Sequence, residues 1–318
     1  MNTGSKYIGF ITLTLVFLFS SCTSDPQENE RSDKESTQEV EYTTLQGEAQ
    51  GTSYTITFLD TMDRDLHDEI DDLLIAFDNS LSTWNPGSII TSLNAYGNEE
   101  IDSFFVQVME VSRLVYHETG GAFNPAIFPL IERWGFGTEE IDELPTDAEI
   151  DSLLRFTDFD QVTIDWQVNG NDSIPTIRLP QGYRIEFNAV AQGLSVDFVA
   201  AYLESKGISN YKVNIGGELR CSGLSPKQRV WRIGVEKPEM DAYHEPFSAL
   251  EIENQGMATS GNYRKFKEVD GMKFSHTIDP LTGRPVHSRL LSATIIAPTA
   301  AEADAYATAM MVMGLEKA

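Results

Sequence analysis

Asp304 and Thr308 stand four residues apart in an alanine-rich segment that has the composition of a helix. Side chains at this spacing lie on one helix face, one turn apart. A carboxylate and a hydroxyl are oxygen donors, which suit Mg²⁺ better than zinc or copper. Two structural roles compete with a metal site. An aspartate in a first helical turn stabilises the helix dipole, and a helical threonine often bonds the carbonyl four residues before it.

His276 lies in a turn-rich segment, SHTIDP at residues 275–280. An imidazole titrates near neutral pH and can act as a general base, and a carboxylate such as Asp279 can orient it or serve as the base instead. Most isolated loop histidines are only solvated or hydrogen-bonded, and we expect this of the other four histidines. His276 and Asp279 are therefore the candidates for acid–base chemistry.

Two glycine pairs, Gly120-Gly121 and Gly216-Gly217, follow a predicted helix and a predicted strand. Glycine adopts positive φ readily and lets a ligand approach backbone N–H groups. The structural alternatives are a helix C-cap for the first pair and a β-bulge for the second. Together with the metal pair and the histidine, these turns indicate a site for a large phosphorylated ligand.

The charge of the chain limits its partners. Its 318 residues carry 23 basic and 49 acidic side chains, for a formal net charge of −26. Such a surface repels a phosphate backbone, so nucleic-acid binding is excluded as a function class. An anionic small ligand needs a local cation for the same reason, which strengthens the case for a bound metal.

The N-terminus reads as an export signal. Lys6 precedes an apolar run over residues 8–19 that is too short to span a bilayer, and small residues then precede Cys22. This pattern resembles a bacterial lipoprotein signal, with a signal peptide at residues 1–21 and a lipid on Cys22. The alternative is an ordinary secretory signal with a coincidental cysteine. We therefore expect an exported protein, anchored to a bacterial membrane and facing the periplasm or the cell surface.

Residues 22–42 form a polar, charged tether, because they lack the apolar pattern needed for a core. One large domain is expected over residues 43–318. Only Cys221 remains as a second cysteine, so a disulfide framework is excluded and Cys221 is expected to be a small buried residue.

The elements that position these residues mix helices and strands. Tyr54, Ile56 and Phe58 alternate as in a strand, and Thr299 and Glu302 form a capping box for a closing helix. Further helices are predicted over residues 63–82, 104–117 and 189–206. Further strands are predicted over residues 162–166, 174–179, 211–215, 230–235, 247–252 and 290–297. Because strands and helices do not alternate strictly, the fold class is α+β.

Several motifs are absent from the sequence. It contains no Gly-x-Gly-x-x-Gly fingerprint, Walker A loop, His-Glu-x-x-His pair or Gly-x-Ser-x-Gly elbow. These absences count against Rossmann dehydrogenases, P-loop ATPases, zincins and α/β-hydrolases.

Eight segments taken in order resemble the ApbE family of flavin transferases. They include STWNPGS at 82–88, GGAFNP at 120–125, WGFG at 134–137, NAVAQGLSVD at 188–197, NIGGE at 214–218 and MATSGNY at 257–263, followed by the histidine loop and the Asp304/Thr308 helix. The resemblance implies one domain of mixed, T-fold-like sheets with packed helices. It also implies an enzyme that binds FAD as substrate and cleaves its pyrophosphate with Mg²⁺.

The resemblance further implies that FMN is joined through its phosphate to a Thr or Ser of an acceptor flavoprotein and that AMP is released. The acceptors would be subunits of membrane redox complexes. Two alternatives share the fold: an FAD pyrophosphatase that yields FMN and AMP, and a non-catalytic FAD-binding lipoprotein.

The resemblance also assigns site residues. Those implied around the flavin and nucleotide are Trp84, Ser88, Ala122, Phe123, Asn124, Glu186, Gln192 and Thr277. The implied metal ligands are Asp304, Thr308 and the backbone carbonyl of Ala189. His276 would lie by the pyrophosphate and take the acceptor proton, with Asp279 as the competing base. The family more often has Asp at the position of Asn124 and Lys at that of Gln192.

Overall fold

The computed structural model describes residues 41–137, 141, 143–169, 172–238, 246–262, 266–269, 272–287 and 289–318. The predicted signal peptide, Cys22 and almost all of the tether lie outside these ranges. Within them, no helix is long and apolar enough to cross a membrane.

The helices of the described residues, in chain order, are α1 (His67–Leu81), α2 (Ile89–Tyr96), α3 (Ser103–Glu118), α4 (Phe128–Arg133), α5 (Asp147–Leu153), α6 (Ala191–Ser205) and α7 (Ala300–Met313). Short 3-10 turns cover Pro125–Ile127, Leu154–Phe156 and Phe159–Gln161.

The strands of the described residues are β1 (Thr43–Ala49), β2 (Thr52–Phe58), β3 (Asn98–Glu100), β4 (Thr163–Asn169), β5 (Asp172–Arg178), β6 (Tyr211–Ile215), β7 (Glu218–Ser222), β8 (Trp231–Glu236), β9 (Pro246–Ile252), β10 (Gln255–Gly261), β11 (Phe266–Val269), β12 (Met272–Ser275), β13 (Ile278–Asp279), β14 (Arg284–Pro285) and β15 (Ser292–Ala297). This mixture confirms the predicted α+β class.

A six-stranded antiparallel sheet with the order β1-β2-β6-β7-β10-β15 carries most of the fold. Alternation in β2 directs Tyr54, Ile56 and Phe58 into a core formed with α1 and α6. The register pairs Tyr54 with Ile215 and Phe58 with Tyr211, so the buried residues of β2 and β6 lie on the same face. Strands β3, β5 and β4 form a smaller sheet, and β8–β9, β11–β12 and β13–β14 form hairpins.

Helix α7 is buried on most of its surface and packs against α6, β10 and β15. Its buried side chains are mainly alanines, which let neighbouring backbones approach closely. Thr299 caps it by accepting a hydrogen bond from Glu302 N at 3.1 Å. The Asp197 carboxylate accepts from Ala300 N and Ala301 N at 3.0 and 2.8 Å, so a residue of α6 completes the cap.

The predicted helices over 104–117 and 189–206 and the predicted strands all occur, with ends shifted by a few residues. Helix α1 begins at His67 rather than near residue 63, because Asp60 accepts hydrogen bonds from Met62 N and Arg64 N and holds that segment in a turn. Gly207, at φ 81°, ends α6 as expected. The predicted turn at Asn169-Gly170 falls partly outside the described residues.

Candidate active site

Helices α6 and α7 meet at Gly193 and Asp304. Gly193 N donates to Asp304 Oδ2 at 3.1 Å, and the Asp304 side chain is buried. A Cβ on Gly193 would lie 2.4 Å from the Ala300 carbonyl oxygen and 2.8 Å from Asp304 Cβ. Only glycine therefore allows this approach. A glycine inside a predicted helix signals such close packing, and Gly193 is a site residue that the sequence reasoning missed.

The carboxyl groups of Asp304 and Glu186 interact through their charges. Burial raises the pKa of Asp304 to about 7; the hydrogen bond from Gly193 opposes the shift, and the charge of Glu186 adds to it. Burial also raises the pKa of Glu186 to about 7, against a hydrogen bond from Asn188 N at 2.7 Å. A bound divalent cation would relieve the repulsion and favour the charged form of both carboxyls.

Thr308 lies one turn after Asp304 on α7, and its Oγ1 is 3.2 Å from Ser260 Oγ of β10. Ala189 lies in the turn that leads into α6. Within the described ranges, no three His, Cys, Asp or Glu side chains cluster, so the candidate donors are the two carboxyls, a hydroxyl and backbone carbonyls. This set of oxygens fits Mg²⁺.

The backbone of Glu186 is held by the turn that follows α3. Gly120 and Gly121 have φ of 59° and 85° and end the helix, so the expected C-cap is present. Glu186 N donates to Pro125 O at 3.0 Å. Ala122 and Phe123 are buried in the main core, and the N–H groups of residues 120–123 donate hydrogen bonds within the turn.

Asn124 caps the 3-10 turn that follows. Its Oδ1 accepts from Ala126 N at 2.9 Å and its Nδ2 donates to Thr157 O at 2.8 Å. Both ends of the carboxamide therefore bond to the fold. A carboxylate at this position could not donate to Thr157.

Trp84 and Ser88 share one loop and have different exposure. The Trp84 side chain is 68% exposed and available to a planar ligand. Ser88 is fully buried: its Oγ lies 2.7 Å from Ser82 O and accepts from Thr91 N at 3.2 Å, capping α2. Ser88 thus shapes the loop that presents Trp84.

The second glycine pair forms a two-residue hairpin turn between β6 and β7 rather than a bulge. Gly216 and Gly217 have φ of 63° and 115°, as tight antiparallel hairpins require. A Cβ on Gly216 would lie 1.8 Å from Gln192 Nε2 and 2.8 Å from Thr52 Cγ2. The Gln192 side chain, from the first turn of α6, therefore rests on this hairpin.

His276 lies between β12 and β13 and is half-buried. Thr277 Oγ1 donates to Asn262 Oδ1 at 2.6 Å, and Thr277 N donates to Ser275 Oγ at 3.1 Å, which fixes the backbone beside the imidazole. Asp279 Oδ1 accepts from Leu281 N at 2.9 Å. The Asp279 carboxylate thus stabilises the turn into β14, a structural role that sequence reasoning did not foresee.

Direct contacts therefore join Asp304 with Gly193, and Gln192 with the Gly216 turn, while charge couples Asp304 to Glu186. The contacts described for Ser88 and Asp279 are with their own loops, and Asn124 bonds the following turn and the distant Thr157 carbonyl. The arrangement offers buried acids and oxygen donors beside glycine turns, which suits an anionic ligand held through a metal.

Comparison with known proteins gives consistent results. The sequence model of the ApbE family matches residues 50–318. The FAD:protein FMN transferase of Vibrio cholerae serotype O1 is 35% identical over 281 residues, 86% of this chain and 82% of that protein. The Escherichia coli K12 protein of the same name is 32% identical over 313 residues, 96% of this chain and 86% of that protein.

Solved structures agree. The flavin transferase ApbE from Vibrio cholerae superposes with a TM-score of 0.75 at 34% identity, covering 87% of this chain and 88% of that one. The apo form of the Pseudomonas stutzeri flavinyl transferase ApbE gives a TM-score of 0.76 at 29% identity, covering 87% and 86%.

Proposed function

The chain belongs to the ApbE family and is an FAD:protein FMN transferase, and we propose that it works with Mg²⁺, joins FMN through its phosphate to a Thr or Ser hydroxyl and releases AMP. The predicted family, enzyme class and substrate FAD are thereby confirmed. The observation that carries the metal proposal is the buried Asp304, held by Gly193 N, with Thr308 one turn away and Glu186 acting on its charge.

Asp304, Thr308 and the carbonyl of Ala189 would hold the metal, since all three supply oxygen. When bound, Mg²⁺ neutralises the negative charge of a pyrophosphate, which is the main requirement of phosphoryl transfer. The cation would also supply local positive charge to an anionic ligand on a chain whose net charge is −26. Glu186 and Gln192 would border the nucleotide, and the exposed Trp84 ring would cover a planar portion of FAD.

His276 is the proposed general base. The acceptor O–H bond breaks as the proton passes to the imidazole, the oxygen forms a bond to the FMN phosphorus, and the P–O bond to AMP breaks. Thr277, fixed by Asn262 and Ser275, would border the pyrophosphate. Asp279 remains the competing base, although one of its oxygens already accepts from Leu281 N.

Location and partners belong to the proposal as well. The pattern from Lys6 to Cys22 supports export and a lipid on Cys22, and hence a catalytic domain at the outer side of a bacterial membrane. The acceptors that suit this place are flavoprotein subunits of membrane redox complexes.

Intact-protein mass spectrometry tests the activity. The purified chain is incubated with FAD, Mg²⁺ and a candidate acceptor subunit, and the acceptor should gain the mass of one FMN on a Thr or Ser. The matched reaction without Mg²⁺ should give none. Release of free FMN and AMP with an unmodified acceptor would instead identify a pyrophosphatase, and FAD left intact would identify a binding protein.

A further inference from the structure

The residues from Phe274 to Gly283 contain His276 and are called the histidine segment. Trp134 contacts this segment on both sides of His276. It follows α4 directly and is buried. Its indole Nε1 donates to Gly283 O at 2.8 Å, and its ring centroid lies 5.7 Å from that of Phe274, with the planes inclined by 36°. Phe274 precedes His276 in β12, and Gly283 follows it in the turn before β14. One side chain therefore anchors both ends of the segment.

The backbone of Trp134 is itself fixed. Trp134 N donates to Leu130 O at 2.9 Å, and the two following residues close the helix: Gly135 N donates to Glu132 O at 2.8 Å and Phe136 N to Ile131 O at 3.0 Å. Gly135 has φ 75°, as this helix ending requires. The indole is thus held from a rigid helix end rather than from a loop.

The turn at Gly283, whose carbonyl accepts the hydrogen bond from the indole of Trp134, is also constrained. Gly283 has φ 67°, and a Cβ there would lie 2.7 Å from Ile150 Cγ2 and 3.2 Å from Leu130 Cδ2. Within the segment, Gly283 N donates to Asp279 O at 2.8 Å, and Val286 N, three residues beyond it, donates to Thr277 O at 2.9 Å. These hydrogen bonds tie the turn together, so the contacts of Trp134 at Phe274 and Gly283 act on one connected segment.

We propose that Trp134 is a positioning residue of the transfer reaction, which fixes the segment from Phe274 to Gly283 so that the His276 imidazole meets the acceptor hydroxyl. This inference rests on the proposed role of His276. Trp134 is assigned no contact with FAD, metal or acceptor, so its effect passes through the segment alone.

Trp231 provides a matched control. It is also buried, and its Nε1 donates to a backbone carbonyl, Ser222 O, at 2.9 Å, but it lies in β8 of another hairpin. W134F and W231F each remove one indole hydrogen bond and keep an aromatic ring. We expect W134F to lower kcat by about tenfold to a hundredfold, because small displacements of a reacting group carry such costs. KM for FAD should change by less than about twofold, and W231F should keep kcat.

Two further measurements separate positioning from mere stability. In an H276N background, W134F should cause no additional loss of kcat, because residues that act through one another are not additive. Hydrogen exchange of the amides of Gly283 and Val286 should accelerate in W134F but not in W231F, with no FAD or acceptor present.

Equal losses of kcat in W134F and W231F, or a full W134F effect in the H276N background, would overturn the proposal. So would unchanged exchange at Gly283 and Val286, or an H276N variant with undiminished transfer. A wild-type chain that transfers no FMN while W134F still accelerates exchange would refute the proposed transfer mechanism and leave the anchoring of the segment established.

Discussion

At the scale of single residues, Asp304 has a structural and a chemical role at once. Its Oδ2 accepts from Gly193 N, which ties α7 to α6, and its carboxylate is the proposed metal ligand. D304N preserves the side-chain shape and removes the charge. We expect it to fold, to lose detectable Mg²⁺ binding by titration calorimetry, and to transfer FMN at least about a hundredfold more slowly, because charge neutralisation dominates phosphoryl transfer.

S260A is the control for this substitution, since Ser260 contacts the Thr308 hydroxyl and is assigned no metal contact. It should keep Mg²⁺ affinity to within about tenfold of wild type, since one neutral hydrogen bond contributes about 0.5–1.5 kcal/mol. A D304N chain with wild-type Mg²⁺ affinity would remove Asp304 from the site.

Sequence reasoning at this scale succeeded where one helix supplies both residues. The helical repeat alone is enough to predict that Asp304 and Thr308 lie on one face of α7. Sequence reasoning did not foresee the structural role of the Asn124 amide, because the Thr157 carbonyl to which Nδ2 donates lies far along the chain. Ser88 likewise caps α2 through neighbours that no periodicity reveals.

At the scale of elements, the short segment from Pro125 to Trp134 supports the site from two directions. Pro125 O accepts from Glu186 N, Glu132 pairs with Arg184, and Trp134 anchors the histidine segment. The sequence analysis did not predict α4, because six residues that include a proline carry no readable helical period. It also passed over α5, although Thr146 and Glu149 form the capping box that signals its start.

The α6–α7 crossing gives a prediction at this scale. G193A would place a methyl group against Ala300 O and Asp304 Cβ, so the helices must separate. We expect a loss of about 1–3 kcal/mol in the free energy of unfolding, typical of overpacking, together with weaker Mg²⁺ binding. Urea denaturation and calorimetry measure the two effects.

Gly234 serves as the comparison, because a Cβ there meets nothing within 4 Å and its φ is not positive. G234A should lose less than about 0.5 kcal/mol and leave Mg²⁺ binding unchanged. If G193A matched G234A in both respects, the close approach of the helices would not matter for the site.

The connection between β2 and α1 gives a pH-dependent prediction. Arg64 bonds both carboxylate oxygens of Asp60 at 2.8 Å and also donates to Lys206 O at 2.9 Å after α6. This guanidinium holds the pKa of Asp60 well below its ordinary value, and backbone N–H groups assist. A depressed pKa contributes stability above the unfolded value, about 3.9, and that stability is lost as pH falls toward the folded value.

D60N should therefore destabilise the domain by on the order of 2 kcal/mol at pH 7, and by progressively less below about pH 4. Denaturant titrations at pH 7 and pH 3 test this. D147N removes an exposed ion pair with Arg284 and should cost less than about 1 kcal/mol at either pH. A D60N deficit that is constant with pH would contradict the assignment.

At the scale of the whole molecule, the net charge of −26 opposes the approach of an anionic substrate. Raising the ionic strength from 10 to 150 mM shortens the Debye length from about 30 to about 8 Å. At constant free Mg²⁺, KM for FAD should therefore fall as salt rises across this range. Inhibition by riboflavin, which lacks phosphates, should barely change. A KM that rises with salt would indicate a local positive field instead.

The fold class and most long elements were predictable, because β2, β6, α3 and α6 carry clear two-residue or helical periods. The order of the large sheet was not, since β10 and β15 join β7 only through contacts distant in the chain. The charge interaction between Glu186 and Asp304 of α7 was not predictable for the same reason. It depends on how separate segments pack together, and no local sequence pattern specifies that packing.

The central place of α7 has a consequence for biosynthesis. The described strands and helices that enclose it all precede it in the chain, so they leave the ribosome before the helix that fills the space between them. Until α7 emerges, the nascent polypeptide also lacks Asp304 and Thr308. In this order of synthesis the two proposed metal ligands on α7 are made after the described elements that pack around them, so metal binding at this site follows the synthesis of those elements.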